Sequence, residues 1–269
     1  MTSRKLQLGA LALIFSLFST PLLAAQCGNT SKGFGRWLAQ FKKEARHRGI
    51  SKRTLRRTLR GVTYDYSVIR KDRNQKHFKL SFAKFYRMRV SPGGLAKGRS
   101  MMRRYRGLLN RIYRRYGVQP RIITAIWSLE TFYGGFTGNK PIFRSLATLA
   151  YDCRRHKMFT QNLYAALRVV QRGDVNPRRL RGAWAGEVGQ TQFMAKNYYR
   201  YAVDFDGDGR RDLIRSKADA LASTANLLRA HGWKRGGCYQ PGCHNFGVLH
   251  AWNKARVYQR TIAKMASQL

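Results

Sequence analysis

Over most of the chain the apolar positions recur every three or four residues. Phe34, Trp37, Leu38, Phe41 and Ala45 share one face of a helix that Gly49 ends. Ser51 is placed to cap a second, short and basic helix through Leu55 and Leu59. Residues 62–92 are less regular; they hold an aromatic cluster of Phe78, Phe82, Phe85 and Tyr86, and close on a Ser91-Pro92-Gly93-Gly94 break. Met101, Tyr105, Leu108 and Ile112 then line one side of a long amphipathic helix that Gly117 stops. Pro120 opens the next helix, PRIITAIWSLETFYGG, which has no clean polar face and therefore belongs in the centre of the molecule. Further helical patterns run through Leu146, Leu149 and Ala150, through Leu163, Leu167 and Val170, and over 219–232 and 248–266. No two-residue alternation lasts long enough for a large sheet, so the class is mainly α with little β structure. The expected organisation is a signal segment over 1–25, an N-terminal helical region over 26–94 and a C-terminal domain over 95–269.

The first residues change the picture by placing the protein. Arg4 and Lys5, the apolar run Leu8 to Phe18 and the small Ala24-Ala25 pair read as a cleaved secretory signal, which predicts a soluble periplasmic protein. The formal net charge is +41, from 53 Lys and Arg against 12 Asp and Glu. Such a surface seeks anions and repels copies of itself, which favours a monomer. Export argues against nucleic acid and for anionic envelope surfaces, such as wall polymer or lipid headgroups. Cys27, Cys153, Cys238 and Cys243 are an even set in an exported chain and allow three connectivities. The Tyr-Gln-Pro-Gly turn between Cys238 and Cys243 favours that pair, which leaves Cys27 to Cys153.

Acids are scarce, and one of them is oddly placed. The chain has three glutamates, Glu44, Glu130 and Glu187, and Glu130 sits among Ile126, Trp127, Leu129 and Phe132 in the apolar helix. A carboxyl there is costly to ionise unless partnered, which is the setting that makes a general acid usable near neutral pH. The bland alternative is a buried structural acid paired with an arginine. The helix ends in Thr131-Phe132-Tyr133-Gly134-Gly135, an aromatic lip of the kind that covers sugar rings.

These residues carry a resemblance. Ala125-Ile126-Trp127-Ser128-Leu129-Glu130-Thr131, followed by Tyr133-Gly134, is similar to the catalytic motif of the lytic murein transglycosylase B family. Gly186-Glu187-Val188-Gly189-Gln190-Thr191-Gln192-Phe193-Met194, Tyr201 to Gly209, and His231-Gly232-Trp233 resemble its later motifs, in the family's order. Upstream, Asp72-Arg73-Asn74-Gln75 and Arg89-Val90-Ser91 also fit. The resemblance covers roughly residues 60–260. It implies a lysozyme-like α domain that cleaves the MurNAc-β-1,4-GlcNAc bond of peptidoglycan strands and leaves 1,6-anhydromuramic ends. Glu130 would act first as acid, then as base, with no organic cofactor. Gln192, Asn253, Trp252, Tyr258 and Tyr133 would hold the sugar. The chain departs from the family pattern at Ala183, where a serine is common, at Leu227, where a tyrosine is common, and at Glu187, which stands between Gly186 and Gly189 where members often read Gly-Ala-Met-Gly. Glu187 is thus a candidate second acid, which would favour a lysozyme-type hydrolase; its bland role is to neutralise a local arginine. A non-catalytic cationic wall-binding protein is the third alternative.

Five of the nine aspartates lie between Asp204 and Asp219. Asp204, Asp206 and Asp208 occupy positions 1, 3 and 5 of an EF-hand-like loop, with Gly209 at the sharp turn, which suits a structural Ca²⁺. Position 12 is Arg215 rather than a bidentate Glu. Asp219 resembles the ligand that closes the family's longer loop, and the Arg210 carbonyl would add another. The alternative is an Asp-Gly turn held by arginines.

Overall fold

The computed structural model describes residues 25–74 and 80–269. The expected signal segment, apart from Ala25, and Gln75 and Phe78 lie outside them. The chain forms α1 (Phe34–His47), α2 (Lys52–Leu59), α3 (Tyr66–Arg73), α4 (Phe82–Arg89), α5 (Pro92–Arg104), α6 (Arg106–Tyr116) and α7 (Pro120–Thr131). After these come α8 (Ile142–Tyr151), α9 (His156–Arg172), α10 (Ala195–Tyr201), α11 (Lys217–Ala230), α12 (His244–Trp252) and α13 (Arg256–Gln268). Among the described residues the only sheet is the two-residue antiparallel pair β1 (Lys140–Pro141) and β2 (Arg181–Gly182), with Lys140 opposite Gly182.

Side-chain caps start several of these helices. Ser51, Ser81 and Ser91 accept from the backbone N–H three residues on, and Asp65 accepts from Ser67 and Val68. The Ser91-Pro92 break is therefore a helix start: Pro92 takes the first turn, where its missing N–H costs nothing. The long amphipathic helix expected around Met101 to Ile112 is two helices, hinged at Tyr105, whose φ and ψ of −104° and 21° leave the helical well. The final helix expected over 248–266 is likewise two, parted at Asn253 with φ −144° and ψ 127°.

α7 is the axle. Nine of its twelve residues are buried, and it packs against α5, α6, α11 and α13. A helix covered on every side has no need of a polar face. Close approach of α5 is allowed by Gly98: a Cβ there would lie 2.5 Å from the Tyr133 hydroxyl. The boundary expected at 94/95 falls inside α5, and one cluster of buried apolar residues runs from Ala25 to Ala266 across it.

Two disulfides close the described chain, Cys27–Cys153 and Cys238–Cys243. The first spans 126 residues and ties the N-terminal segment to the turn after α8, where the Gly28 N–H also donates to the Tyr151 carbonyl at 2.9 Å. Closing so long a loop removes much entropy from the unfolded chain. We expect Cys27→Ser with Cys153→Ser to lower unfolding free energy by up to about 4–5 kcal/mol, measured by denaturant unfolding. Cys238→Ser with Cys243→Ser, across a short loop, costs less.

Candidate active site

Glu130 is the penultimate residue of α7, at the point where the helix leaves the core. The helix is ended by left-handed backbone at Phe132, Tyr133 and Gly134, with φ of 51°, 63° and 82°. Five hydrogen bonds fix this end. The Thr131 hydroxyl donates to the Gln190 carbonyl at 2.5 Å and accepts from Gly134 N–H at 2.9 Å. Gln190 in turn accepts from the Trp127 indole N–H at 3.1 Å and donates to the Ile214 carbonyl at 3.0 Å. The Arg89 guanidinium, arriving from α4, donates to the Leu129 carbonyl. Sequence reasoning missed Gln190 as a pin; its only signal was a second glutamine beside Gln192.

The Glu130 carboxyl opens on two cavities. The larger, about 720 Å³, is lined by Arg70, Lys71, Arg89, Arg155 and Trp184 among others; the smaller, about 210 Å³, by Gln192, Met194, Asn197 and Leu227. Glu130, Glu187 and Asn253 line both. Trp252 lines the smaller one and also a third, open cavity of about 510 Å³ with His231 and His250. The first two meet at Glu130 as one groove, and the third adjoins it at Trp252.

The partners of Glu130 are neutral. The Tyr258 hydroxyl donates to Oε1 at 2.7 Å and the Trp252 indole N–H donates to the same oxygen at 3.0 Å. Among the described residues no Lys or Arg makes an ion pair with it. Burial therefore pushes its pKa up to about 7; the two donors and Arg89 pull against that, and the charge of Glu187 adds to it. Burial beside Glu130 also raises the Tyr258 phenol, which stays a donor. Both partners depend on the break between α12 and α13. Asn253 Oδ1 accepts from Ala255 N–H at 2.9 Å, turning the chain so that Trp252 and Tyr258 meet one oxygen.

The other expected sugar-binding residues are placed unequally. Asn253 and Gln192 line the groove, but the Gln192 amide donates to the Thr137 and Gly189 carbonyls, both at 3.0 Å, and so also braces its own loop. Tyr133 lines none of these cavities. Its ring is buried edge-on to Trp127 and its hydroxyl donates to the Gly94 carbonyl at 2.8 Å, so it fastens α5 to α7.

In the acidic loop, Asp204, Asp206, Asp208 and Asp219 bring one carboxylate oxygen each within 4.8 Å of the others. None of the four is ion-paired among the described residues. Asp219 is buried, with a raised pKa, and accepts from the N–H groups of Phe205 and Asp212. Asp204 accepts from those of Gly207 and Gly209. Arg210 joins the loop through its N–H, which donates to Asp208 at 2.9 Å. A hard dication fits this donor set of gathered, cation-free oxygens.

The sequence pattern of the Transglycosylase SLT domain family matches residues 33–242. The chain belongs to this family. It is 38% identical over 148 residues to the membrane-bound lytic murein transglycosylase B of Escherichia coli strain K12, a match over 55% of this chain and 41% of that protein. The chain thus matches about two fifths of the length of that relative. Among solved structures, SltB3 of Pseudomonas aeruginosa, in complex with NAG-anhNAM-pentapeptide, superposes with a TM-score of 0.81 at 31% identity, over 87% of this chain and 79% of that one. Escherichia coli Slt35, in complex with calcium, superposes with a TM-score of 0.75 at 24% identity over 91% and 96%, and shares the fold. Both family and fold agree with the lysozyme-like, mainly α expectation.

The setting of Glu130 has a consequence for stability. Its folded pKa of about 7 lies above the ordinary 4.5, so ionising it inside the fold costs stability. The cost is absent below about pH 4.5, grows as the pH rises to about 7 and is complete above. Glu130→Gln keeps the acceptor oxygen without the charge. We expect it to stabilise the protein at pH 8 by up to about 3 kcal/mol and to be near neutral at pH 4, read by thermal unfolding at both pH values.

Proposed function

We propose that the protein is a lytic transglycosylase of the bacterial envelope, cutting MurNAc-β-1,4-GlcNAc bonds in peptidoglycan strands. One observation carries the reading: the Glu130 carboxyl, at the junction of two cavities, is held by two neutral donors with its pKa raised by burial to about 7. Family membership supports it, as does the likeness to SltB3, a protein whose structure holds a NAG-anhNAM-pentapeptide. In the reaction Glu130 gives its proton to the GlcNAc O4 as the C1–O4 bond breaks. The resulting carboxylate takes the proton of the MurNAc 6-hydroxyl, and O6 closes onto C1. Atoms balance without water, so one acid suffices, unlike a hydrolase that needs a second carboxylate as nucleophile or water activator. Tyr258 and Trp252 steady the carboxylate formed midway, since both donate to Oε1. Asn253 and Gln192 face the sugar from the groove walls.

The basic surface would hold the enzyme to anionic envelope polymer, and the signal-like first residues fit export to the periplasm. Among the described residues no helix is long and apolar enough to cross a membrane. The four gathered aspartates would hold a structural Ca²⁺, with the Arg210 carbonyl as a further ligand.

Glu130→Gln is expected to cut release of muropeptides from purified sacculi by about 10²–10⁴-fold while binding to sacculi persists. Mass spectrometry of wild-type products reads the chemistry: anhydro ends are one water lighter than reducing ends, and reducing ends would establish a hydrolase instead. Added Ca²⁺ is expected to raise the melting temperature and EDTA to lower it. Asp219→Asn should abolish that difference, and a melting temperature indifferent to both would remove the metal.

A further inference from the structure

Glu44 of α1 is the one glutamate that lines none of the three cavities around Glu130. It is buried along with Trp37, Leu38, Phe41 and Ala45 of the same helix. Among the described residues it makes no ion pair. Arg48, one turn further along, lies over the Tyr164 ring, 4.8 Å from its centroid, and the Tyr164 phenol beside Glu44 is neutral. Glu44 Oε1 accepts instead from the main-chain N–H of Ala25 at 2.6 Å, across 19 residues of sequence. A carboxylate withdrawn from water without a counter-charge is costly, and a main-chain amide brings a donor but no charge.

The segment that delivers Ala25 is anchored. Cys27 is bonded to Cys153, and the Gly28 N–H donates to the Tyr151 carbonyl at 2.9 Å. A Cβ at Gly28 would lie 2.1 Å from the Tyr151 hydroxyl, so the backbone runs flush against that ring. Ala25 itself is buried in the core cluster. Both its methyl and its nitrogen thus belong to the folded body. Ala25 is also one of two places where the leader-like first residues can end. Removal of a leader asks for a small residue at its last position, and Ala24 and Ala25 both qualify. The expected segment 1–25 puts the cut after Ala25, which takes the nitrogen from Glu44 and the methyl from the core. A cut one residue earlier keeps both.

We propose that the leader is cut between Ala24 and Ala25, and that the α-ammonium so created is the counter-charge of Glu44. Hydrolysis of this bond by an envelope signal peptidase takes up one water: Ala24 leaves with a carboxylate, and Ala25 gains an ammonium. The contact already in place at 2.6 Å then becomes a charge-assisted hydrogen bond between opposite charges. Because Ala25 is buried in the fold, the cut precedes the packing of this segment. Processing therefore does more than detach a leader. It supplies the charge that a buried acid lacks, at the end of a segment that Cys27 ties to the turn after α8.

The proposal rests on the export reading, and the experiment separates the two. The full chain is expressed with its own first residues in a bacterial host with a periplasm, and its N-terminus is read by intact mass and N-terminal sequencing. We expect periplasmic protein beginning at Ala25. Periplasmic protein beginning at Gln26 or later overturns the proposal and leaves export standing, whereas cytoplasmic protein that keeps Met1 overturns both. Stability tests the pair itself. Oxidised chains beginning at Ala24 and at Ala25, each released from a cleavable fusion, share the methyl and the nitrogen but place the ammonium differently. The Ala25 form is expected to melt about 2–4 °C or more above the Ala24 form, and in Glu44→Gln the two should melt together. Equal melting temperatures with Glu44 intact, or a difference that persists in Glu44→Gln, would overturn the proposal.

Discussion

The structure depends on giving one carboxyl neutral hydrogen-bond partners in a chain crowded with cations. Glu130 could be neutralised cheaply by a guanidinium, and more than fifty basic side chains are available. Instead the fold gives it a phenol and an indole. Hydrogen bonds from neutral donors orient an acid without committing its charge, whereas an ion pair would fix it as carboxylate. The arginines that come near are occupied elsewhere, Arg89 on a main-chain carbonyl and Arg155 on Asp72. The pinned end of α7 and the turn at Asn253 place these two donors.

The acids sort accordingly. The four aspartates outside the acidic loop, Asp65, Asp72, Asp152 and Asp174, are all paired with arginines and tie distant segments together. Asp72 alone meets Arg73, Arg154 and Arg155, which joins α3 to the turn before α9. The loop aspartates face one another and backbone N–H groups. With most acids engaged within the molecule, the exterior carries a large excess of cations. Each carboxylate thus has a local task, and the surplus positive charge belongs to the surface as a whole.

Much of this was legible before any coordinates. α7 announced itself because full burial leaves a continuous apolar run, and Glu130 stood out against that run. The helices α1, α8 and α9 carry the expected apolar faces. What pattern could not show were the interruptions. Tyr105 and Asn253 break helices while apolar periodicity continues across them, because both flanking segments pack on the same core. The second break is what brings Trp252 and Tyr258 to Glu130. Tyr133 misled for a related reason: an aromatic next to a glycine at a helix end looks like a cleft lip. Only the left-handed turn at Phe132 and Tyr133 reveals that it swings inward to α5.

That turn carries a wider meaning. Phe132 and Tyr133 occupy a backbone region where side chains other than glycine, asparagine and aspartate are uncommon, and they do so on consecutive residues. Glycine at Phe132, which is half exposed, would adopt the same dihedrals with less conflict in the folded state, at the cost of a looser unfolded chain and a lost ring. A more relaxed backbone and the ring that the Lys97 ammonium covers therefore pull on this corner from opposite directions.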